Sequence, residues 1–151
     1  MSRTLAVGGL ATALVVGACG GGGEKQADTT AAPAMAPAIT VSISSPAEGD
    51  TVRGTAVHVV LAASGIELAP AADQRAGTVH HHLYFDTDLA AADMPIPAGT
   101  AGIVHLGKAE TEFHWDSVAP GPHRIIAVLA DPMHVPIKPL VTDTVHIVVA
   151  R

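Results

Sequence analysis

The sequence is poor in aromatic residues, which make up only 3% of its 151 positions. A hydrophobic content of 48% must therefore come mainly from Val, Ile, Leu and Ala, and the length suits one core. Apolar residues show no helical periodicity, and no segment repeats at a fixed period, which excludes helical bundles and solenoids. These absences predict a single all-β domain.

Basic residues are also few. Eight Lys and Arg stand against 14 Asp and Glu, giving a formal net charge of −6, and the basic residues are scattered along the chain. Nucleic-acid binding needs clustered cations that follow phosphates, so no nucleic-acid partner is expected. Histidine is the outlier, with nine residues, and imidazole binds metals and titrates near neutral pH.

Cysteine occurs once, so no disulfide can form within the chain. Cys19 follows Val16-Gly17-Ala18, a pattern that resembles a bacterial lipobox with Val in place of the commoner Leu. The preceding apolar run, residues 5–16, is shorter than the ~20 residues of a membrane-spanning helix. We therefore predict a lipoprotein signal peptide over residues 1–18 and lipidation of the Cys19 thiol; an ordinary secretory signal is the alternative.

Residues 19–38 are rich in Gly, Ala, Pro and Thr and offer too little apolar surface to offset the entropy of ordering. They predict a flexible tether. Together with the signal, they predict a protein of the bacterial cell envelope that is lipid-anchored to a membrane and faces the periplasm.

Residues 39–151 consist of short β-type runs separated by Pro, Gly and Asp. Six or seven strands without an amphipathic helix favour an immunoglobulin-like antiparallel β-sandwich over this range, with a barrel as the alternative. A long segment rich in Pro, Ala and Asp, residues 86–102, is expected to be a loop at one end of the sandwich. The strands are predicted at residues 39–43, 55–62, 78–85, 111–116, 123–130 and 141–149.

Three adjacent histidines, residues 80–82, interrupt the otherwise apolar strand 78–85. Strand alternation places His80 and His82 on one face and His81 on the other, with Leu83 and Phe85. If that second face is the core, His81 lies inward and needs a hydrogen-bond partner. His80 and His82 then form an exposed or cleft-facing pair.

Two imidazoles at this spacing can approach one ion at the ~2.0–2.1 Å that Zn²⁺ requires, but more ligands are needed. His105 and His134, both expected in loops, are the best candidates, and the prolines flanking His134 would restrict its backbone. The sequence thus predicts a copper or zinc site formed by His80, His82, His105 and His134.

Four further residues are predicted as substitute ligands or as supporting groups near the ligands: His81, Glu112, Asp131 and Met133. The thioether of Met133 would favour Cu(I), and a carboxylate can accept an imidazole N–H. The three remaining strand histidines, His58, His114 and His146, are expected to face solvent.

Enzymatic motifs are lacking. No Gly-x-Ser-x-Gly elbow and no phosphate-cradling glycine loop is present, so a non-enzyme is expected. A metal-assisted hydrolase would need an open coordination position and a base such as Glu112. The main alternative to metal binding is a non-catalytic envelope module that binds protein or glycan and uses its histidines as a hydrogen-bonded scaffold.

Four segments in order resemble a family of bacterial periplasmic and lipoprotein domains, domain of unknown function 4399. The resemblance covers about residues 39–149, and it implies an extracytoplasmic Ig-like domain whose motifs gather the predicted metal ligands with Glu112 and Asp131. It implies no established activity. Among the departures of the chain from the family pattern, the one at Ile137, where the family has a further histidine, matters most. The matching segments are residues 79–83, 105–112, 120–123 and 129–137.

Overall fold

The computed structural model describes residues 37–151, which form nine strands and no helix. Each of the six predicted runs corresponds to one strand whose ends lie within two residues of the prediction. The strands are β1 (Thr40–Ser45), β2 (Thr51–Arg53), β3 (Val57–Ser64), β4 (Glu67–Leu68), β5 (Thr78–Phe85), β6 (Ile103–Leu106), β7 (Glu112–Trp115), β8 (Gly121–Ala130) and β9 (Thr142–Ala150).

The predicted signal peptide (residues 1–18), the lipidation site Cys19 and residues 19–36 of the predicted tether lie outside the described residues. Within residues 37–151, no helix is long and apolar enough to cross a membrane.

Two sheets form the predicted sandwich. The smaller sheet has the order β1-β3-β7 and is antiparallel throughout. The larger sheet has the order β2-β9-β8-β5-β4, and β6 also pairs with β5. The two-residue β4 and three-residue β2 pair in parallel with β5 and β9, so the sandwich departs from the expected antiparallel pattern only at these short edge strands.

The main core lies between the sheets and is built almost entirely from aliphatic side chains, as the shortage of aromatic residues requires. Alternate positions of each strand face inward, because successive side chains of a strand point to opposite faces. The central buried residues are Val41, Ile43, Val57, Val59, Leu61, Val79, Leu83, Ile125, Ala127, Leu129, Val145, Ile147 and Val149.

A second apolar cluster covers the outer face of the larger sheet, where Tyr84, Ile126, Val128 and Ala130 point away from the main core. Ile96, in the middle of the segment 86–102, packs on them and is 4% exposed. The segment has no strand or helix, as expected of a loop, but its middle lies over a sheet face and not at one end of the sandwich. β8 carries apolar side chains on both faces of the sheet, so its outer face also has to be shielded from water.

Candidate metal centre

The strand β5 places His80 and His82 on the covered outer face of the larger sheet. Both side chains point away from Leu83, which lies in the main core, as alternation predicts. They are only 1% and 2% exposed. The prediction that they face a cleft fits the structure, whereas the prediction of an exposed pair was wrong, because the segment 86–102 shields this face.

His105 lies on β6 rather than in a loop, which corrects its predicted location. β6 pairs antiparallel with β5, and His105 lies directly opposite His82 in the register. The two rings stack with centroids 5.0 Å apart and an interplanar angle of 22°. Gly107 provides the space that the His105 ring occupies, since a Cβ at this glycine would overlap the ring atoms Cε1 and Nε2.

His134 lies in the connection between β8 and β9, as predicted, and has a φ of 65°, which is uncommon for a residue with a side chain. The carboxylate of Asp131 fixes this turn by accepting the backbone N–H groups of Met133 and Val135 at 2.8 and 3.0 Å. The backbone N–H of Ile96 donates to the carbonyl of His134 at 2.8 Å. This hydrogen bond joins the turn to residues 86–102, the segment that covers the outer sheet face and that we call the covering segment.

These elements bring His80, His82, His105 and His134 together, and we refer to them as the four-histidine cluster. One ring nitrogen from each lies within 4.8 Å of the others. The Nε2 atoms of His80 and His82 are 3.0 Å apart, and those of His105 and His134 are 3.3 Å apart. Ligand nitrogens ~2.05 Å from a tetrahedral ion lie about 3.3 Å from one another. These two spacings are therefore close to those around a four-coordinate ion.

Three of the four imidazoles are held in the neutral form that metals bind. Burial lowers the pKa of His80 to about 4, and the nearby His105 and His134 lower it further. Burial likewise lowers the pKa of His82 to about 3, with a further contribution from His80. The pKa of His105 is also lowered, first by burial and then by His134. At neutral pH these three rings carry no charge and have lone pairs available.

The cluster satisfies its own polar atoms poorly. Each of the two short nitrogen–nitrogen contacts lets one ring donate a single N–H to the other. The Nδ1 atom of His82 is buried and has no hydrogen-bond partner within residues 37–151. Leaving a buried polar atom unpaired costs about 1–3 kcal/mol. An ion that accepted the four lone pairs would supply interactions that the four rings cannot supply to one another.

A cavity of about 200 Å³ opens beside the cluster. His82, His105 and His134 line one side, and Ile96, Ile103 and the backbone around Gly99 are among the residues on the other. A small ion or molecule therefore has a route to three of the four imidazoles, and His105 is itself exposed.

The four supporting residues predicted from the sequence do not all lie at the four-histidine cluster. His81 faces the main core, and its Nδ1 contacts the Glu110 carbonyl oxygen at 3.1 Å, the internal partner that its predicted position required. Asp131 shapes the turn of His134 and makes no hydrogen bond to an imidazole within residues 37–151. Met133 is 66% exposed.

Glu112 does not lie near the four-histidine cluster. It is on β7 of the smaller sheet, and its Oε2 is 3.0 Å from Nε2 of His58. The base that a hydrolase at the cluster was expected to use is therefore on the other side of the sandwich. His58, His114 and His146 are exposed, as predicted.

Sequence reasoning missed two features of the site. The role of Gly107 depends on its closeness to the His105 ring, which no local pattern reveals. The packing of Ile96 on the outer sheet face could have been anticipated from β8, because its unbroken apolar run indicates burial on both faces.

Similar solved structures share little sequence with this chain. An engineered protein matches with 15% identity and a TM-score of 0.46, and the match covers 76% of this chain but 20% of that one. The fibronectin(III)-like modules of Clostridium thermocellum CbhA match with 17% identity and a TM-score of 0.44, covering 74% of this chain and 100% of the module chain. The PKD domain of human KIAA0319 matches with 13% identity and a TM-score of 0.39, covering 75% of this chain and 83% of that one.

No curated protein matches the sequence. The model of one protein family, described as "Domain of unknown function (DUF4399)", matches residues 59–150. This range includes the whole four-histidine cluster and Gly107, and it confirms the resemblance drawn from the sequence motifs. The chain therefore belongs to the DUF4399 family.

Proposed function

We propose that this protein is a lipid-anchored protein of the bacterial cell envelope that binds a transition metal, copper or zinc, through His80, His82, His105 and His134. The observation that carries the proposal is the convergence of four ring nitrogens, contributed by two strands and a turn, within 4.8 Å of one another. A set of four imidazoles suits zinc and copper better than calcium or magnesium, which prefer oxygen ligands.

The energetics of the cluster support the same proposal. His80 and His82 lose hydration on burial, and their facing Nε2 atoms recover only the one hydrogen bond that they share. Buried polar groups normally find partners, and exceptions call for a functional explanation. A bound ion provides one for the facing Nε2 atoms, because it would take up both of their lone pairs, whereas their mutual hydrogen bond uses only one.

The cellular location rests on the sequence of residues 1–38. The apolar run followed by Cys19 supports lipidation and a membrane as the partner, and the Gly-rich tether would hold the domain at a distance from it.

A metal titration of the untagged full chain tests the proposal. The titration is made in a Cys19→Ser background, because the single thiol would otherwise bind the same ions. Two variants remove ligands at positions where the fold should tolerate the change: His105→Ala, at an exposed strand position, and His134→Asn, since Asn tolerates a positive φ. His146→Ala removes an exposed histidine outside the cluster and is the matched control.

We expect zinc or copper to raise the free energy of unfolding by about 2.7 kcal/mol when free metal exceeds the dissociation constant a hundredfold. The gain should be lost in the two cluster variants and kept in His146→Ala. An equal gain in all four proteins, or no gain in the wild type, would contradict the proposal.

A non-catalytic envelope module that binds protein or glycan is the alternative, with the histidines as a structural scaffold. The hydrogen bond of His81 to the Glu110 carbonyl is the observation that favours it, because this histidine acts within the core. This alternative predicts that the cluster variants melt at lower temperature even in the presence of a chelator and that metal adds nothing. Melting curves with and without chelator separate the two functions.

A further inference from the structure

A second group of metal-binding side chains lies on the outer face of the smaller sheet. His58 on β3 lies directly opposite His114 on β7, and Glu112 is two residues before His114 on the same face. We refer to these three residues as the exposed His-Glu-His cluster. One ligand atom from each lies within 4.8 Å of the others.

The three side chains already contact one another. Nε2 of His58 is 3.0 Å from Oε2 of Glu112. The rings of His58 and His114 stack with centroids 3.9 Å apart and an interplanar angle of 4°. Opposite residues of an antiparallel pair have Cα atoms about 4.5–5.5 Å apart, so the backbone holds both rings within reach of a single ion.

Packing of the core does not explain this arrangement. The residues that alternate with the cluster on β3 and β7 face inward and contribute to the core, among them Val57, Val59, Phe113 and Trp115. The cluster itself is exposed, so its rings can rotate without disturbing that core. Turning two stacked rings so that their nitrogens point at one ion requires side-chain rotation only.

We propose that His58, His114 and Glu112 form a second transition-metal site, which takes Zn²⁺ or Cu²⁺ and leaves its remaining coordination positions to water. Two imidazoles and one carboxylate are a donor set of zinc sites that retain an open position. The carboxylate gives this site a negative charge that the four-histidine cluster lacks. The site does not depend on the four-histidine cluster, which lies on the outer face of the other sheet.

The exposed site should bind more weakly than the buried one. Its side chains are solvated and free to rotate before binding, so the ion must order them and displace their water. We therefore expect two phases in a metal titration, with the exposed cluster filling second.

Trp115 gives a local signal for this second phase. It is the only tryptophan of the sequence and follows His114 directly, so their Cα atoms are about 3.8 Å apart. Bound Cu²⁺ quenches the fluorescence of a nearby indole. Copper at the exposed cluster should therefore quench Trp115.

The experiment titrates Cu²⁺ into the untagged full chain in the Cys19→Ser background while metal stoichiometry and Trp115 fluorescence are followed. The test variant is His58→Ala/His114→Ala. His146→Ala is the control, since His146 is exposed and lies 3.4 Å from Glu48 but belongs to no such group within residues 37–151. Glu112→Gln removes the charge of the third ligand and keeps its shape.

We expect the double variant to bind one ion fewer than the wild type and to lose the quenching phase, whereas His146→Ala behaves as the wild type. Glu112→Gln should weaken this phase about tenfold or more. The proposal is overturned if the double variant keeps the wild-type stoichiometry, or if His146→Ala loses as much binding.

Adding His105→Ala to this series separates the two sites. If only the four-histidine cluster failed to bind, the wild type would take one ion, and the His58→Ala/His114→Ala variant would take none. If only the exposed cluster failed, the wild type would take one ion, and His105→Ala would lose it.

Discussion

In the absence of metal, the domain should lose stability steeply as the pH falls below neutral, because His80 and His82 are buried as neutral rings. Burial lowers their pKa values to about 4 and about 3. In the unfolded chain both return to ~6.5. Below pH ~6.5 the unfolded chain therefore binds protons that the folded domain does not, and the free energy of unfolding falls with the pH.

The expected size follows from proton linkage. A histidine that stays neutral in the folded state and has a pKa of ~6.5 when unfolded contributes about 2 kcal/mol between pH 7 and pH 5. His80 and His82 together contribute about 4 kcal/mol, which is a large part of the 5–15 kcal/mol typical of a domain. Asp and Glu remain mostly ionised over this interval, so the histidines dominate it.

One histidine works in the opposite direction. Burial lowers the pKa of His123, but hydrogen bonds to the Asp86 carboxylate and the Ala119 carbonyl outweigh it, and the pKa is raised overall. Such a group contributes its full stability below pH ~6.5 and loses it as the pH rises through the folded pKa. His123 therefore cannot cause the loss of stability at acidic pH.

The assay is urea unfolding of the full chain in chelator at pH 7, 6 and 5, followed by Trp115 fluorescence. The His80→Gln/His82→Gln variant should lose about 4 kcal/mol of the pH dependence. His146→Gln, at an exposed position, should keep the wild-type dependence. A wild-type loss below ~1 kcal/mol between pH 7 and pH 5, or an equal loss in the double variant, would refute the reasoning.

Two further substitutions test the surroundings of the site. Gly107→Ala places a Cβ where the His105 ring lies, so metal affinity should fall about tenfold or more in a competition titration, the range seen for residues that support a metal ligand. Its melting temperature in chelator should change little; an unchanged affinity would mean that the ring is not held where the structure places it. Asp86→Asn keeps a residue that tolerates the φ of 51° but removes the charge facing His123. The free energy of unfolding of this variant should be lower than that of the wild type by roughly 1–2 kcal/mol at pH 6 and by less at pH 8. The pKa of His123, measured by NMR titration, should fall. Equal losses of stability at both pH values would contradict the ion pair.

The sequence predicted those features of the site that depend on local backbone geometry. The period of two along β5 is set by the chain itself, so the separation of His81 from His80 and His82 followed from the order of the residues. Most of the longer strands were found for the same reason, because their apolar and polar residues alternate, whereas β8 is marked by a continuous apolar run.

Features that depend on distant contacts were not predicted. β6 has only four residues and lacks the alternating aromatic pair that marks the equally short β7, and His105 becomes a strand residue only by pairing with β5. The burial of His80 and His82 arises because Ile96 packs on the sheet from a segment whose composition indicates only a loop. The exposed His-Glu-His cluster was missed because β3 and β7 are far apart in the sequence and meet only in the folded sheet.

His80 and His82 are close in the sequence, but the other two members of the four-histidine cluster join them only in the folded domain. His105 reaches it through the pairing of β6 with β5, and His134 reaches it through a turn fixed by Asp131 and bonded to Ile96 of the covering segment. Each of these contacts is lost when the domain unfolds, so the unfolded chain offers scattered imidazoles in place of four converging ones. An ion that uses all four must bind the folded state in preference, and its binding free energy then adds to the stability of the fold. Metal affinity and resistance to unfolding are for this reason one linked quantity in this domain, and a substitution that loosens the covering segment should weaken both.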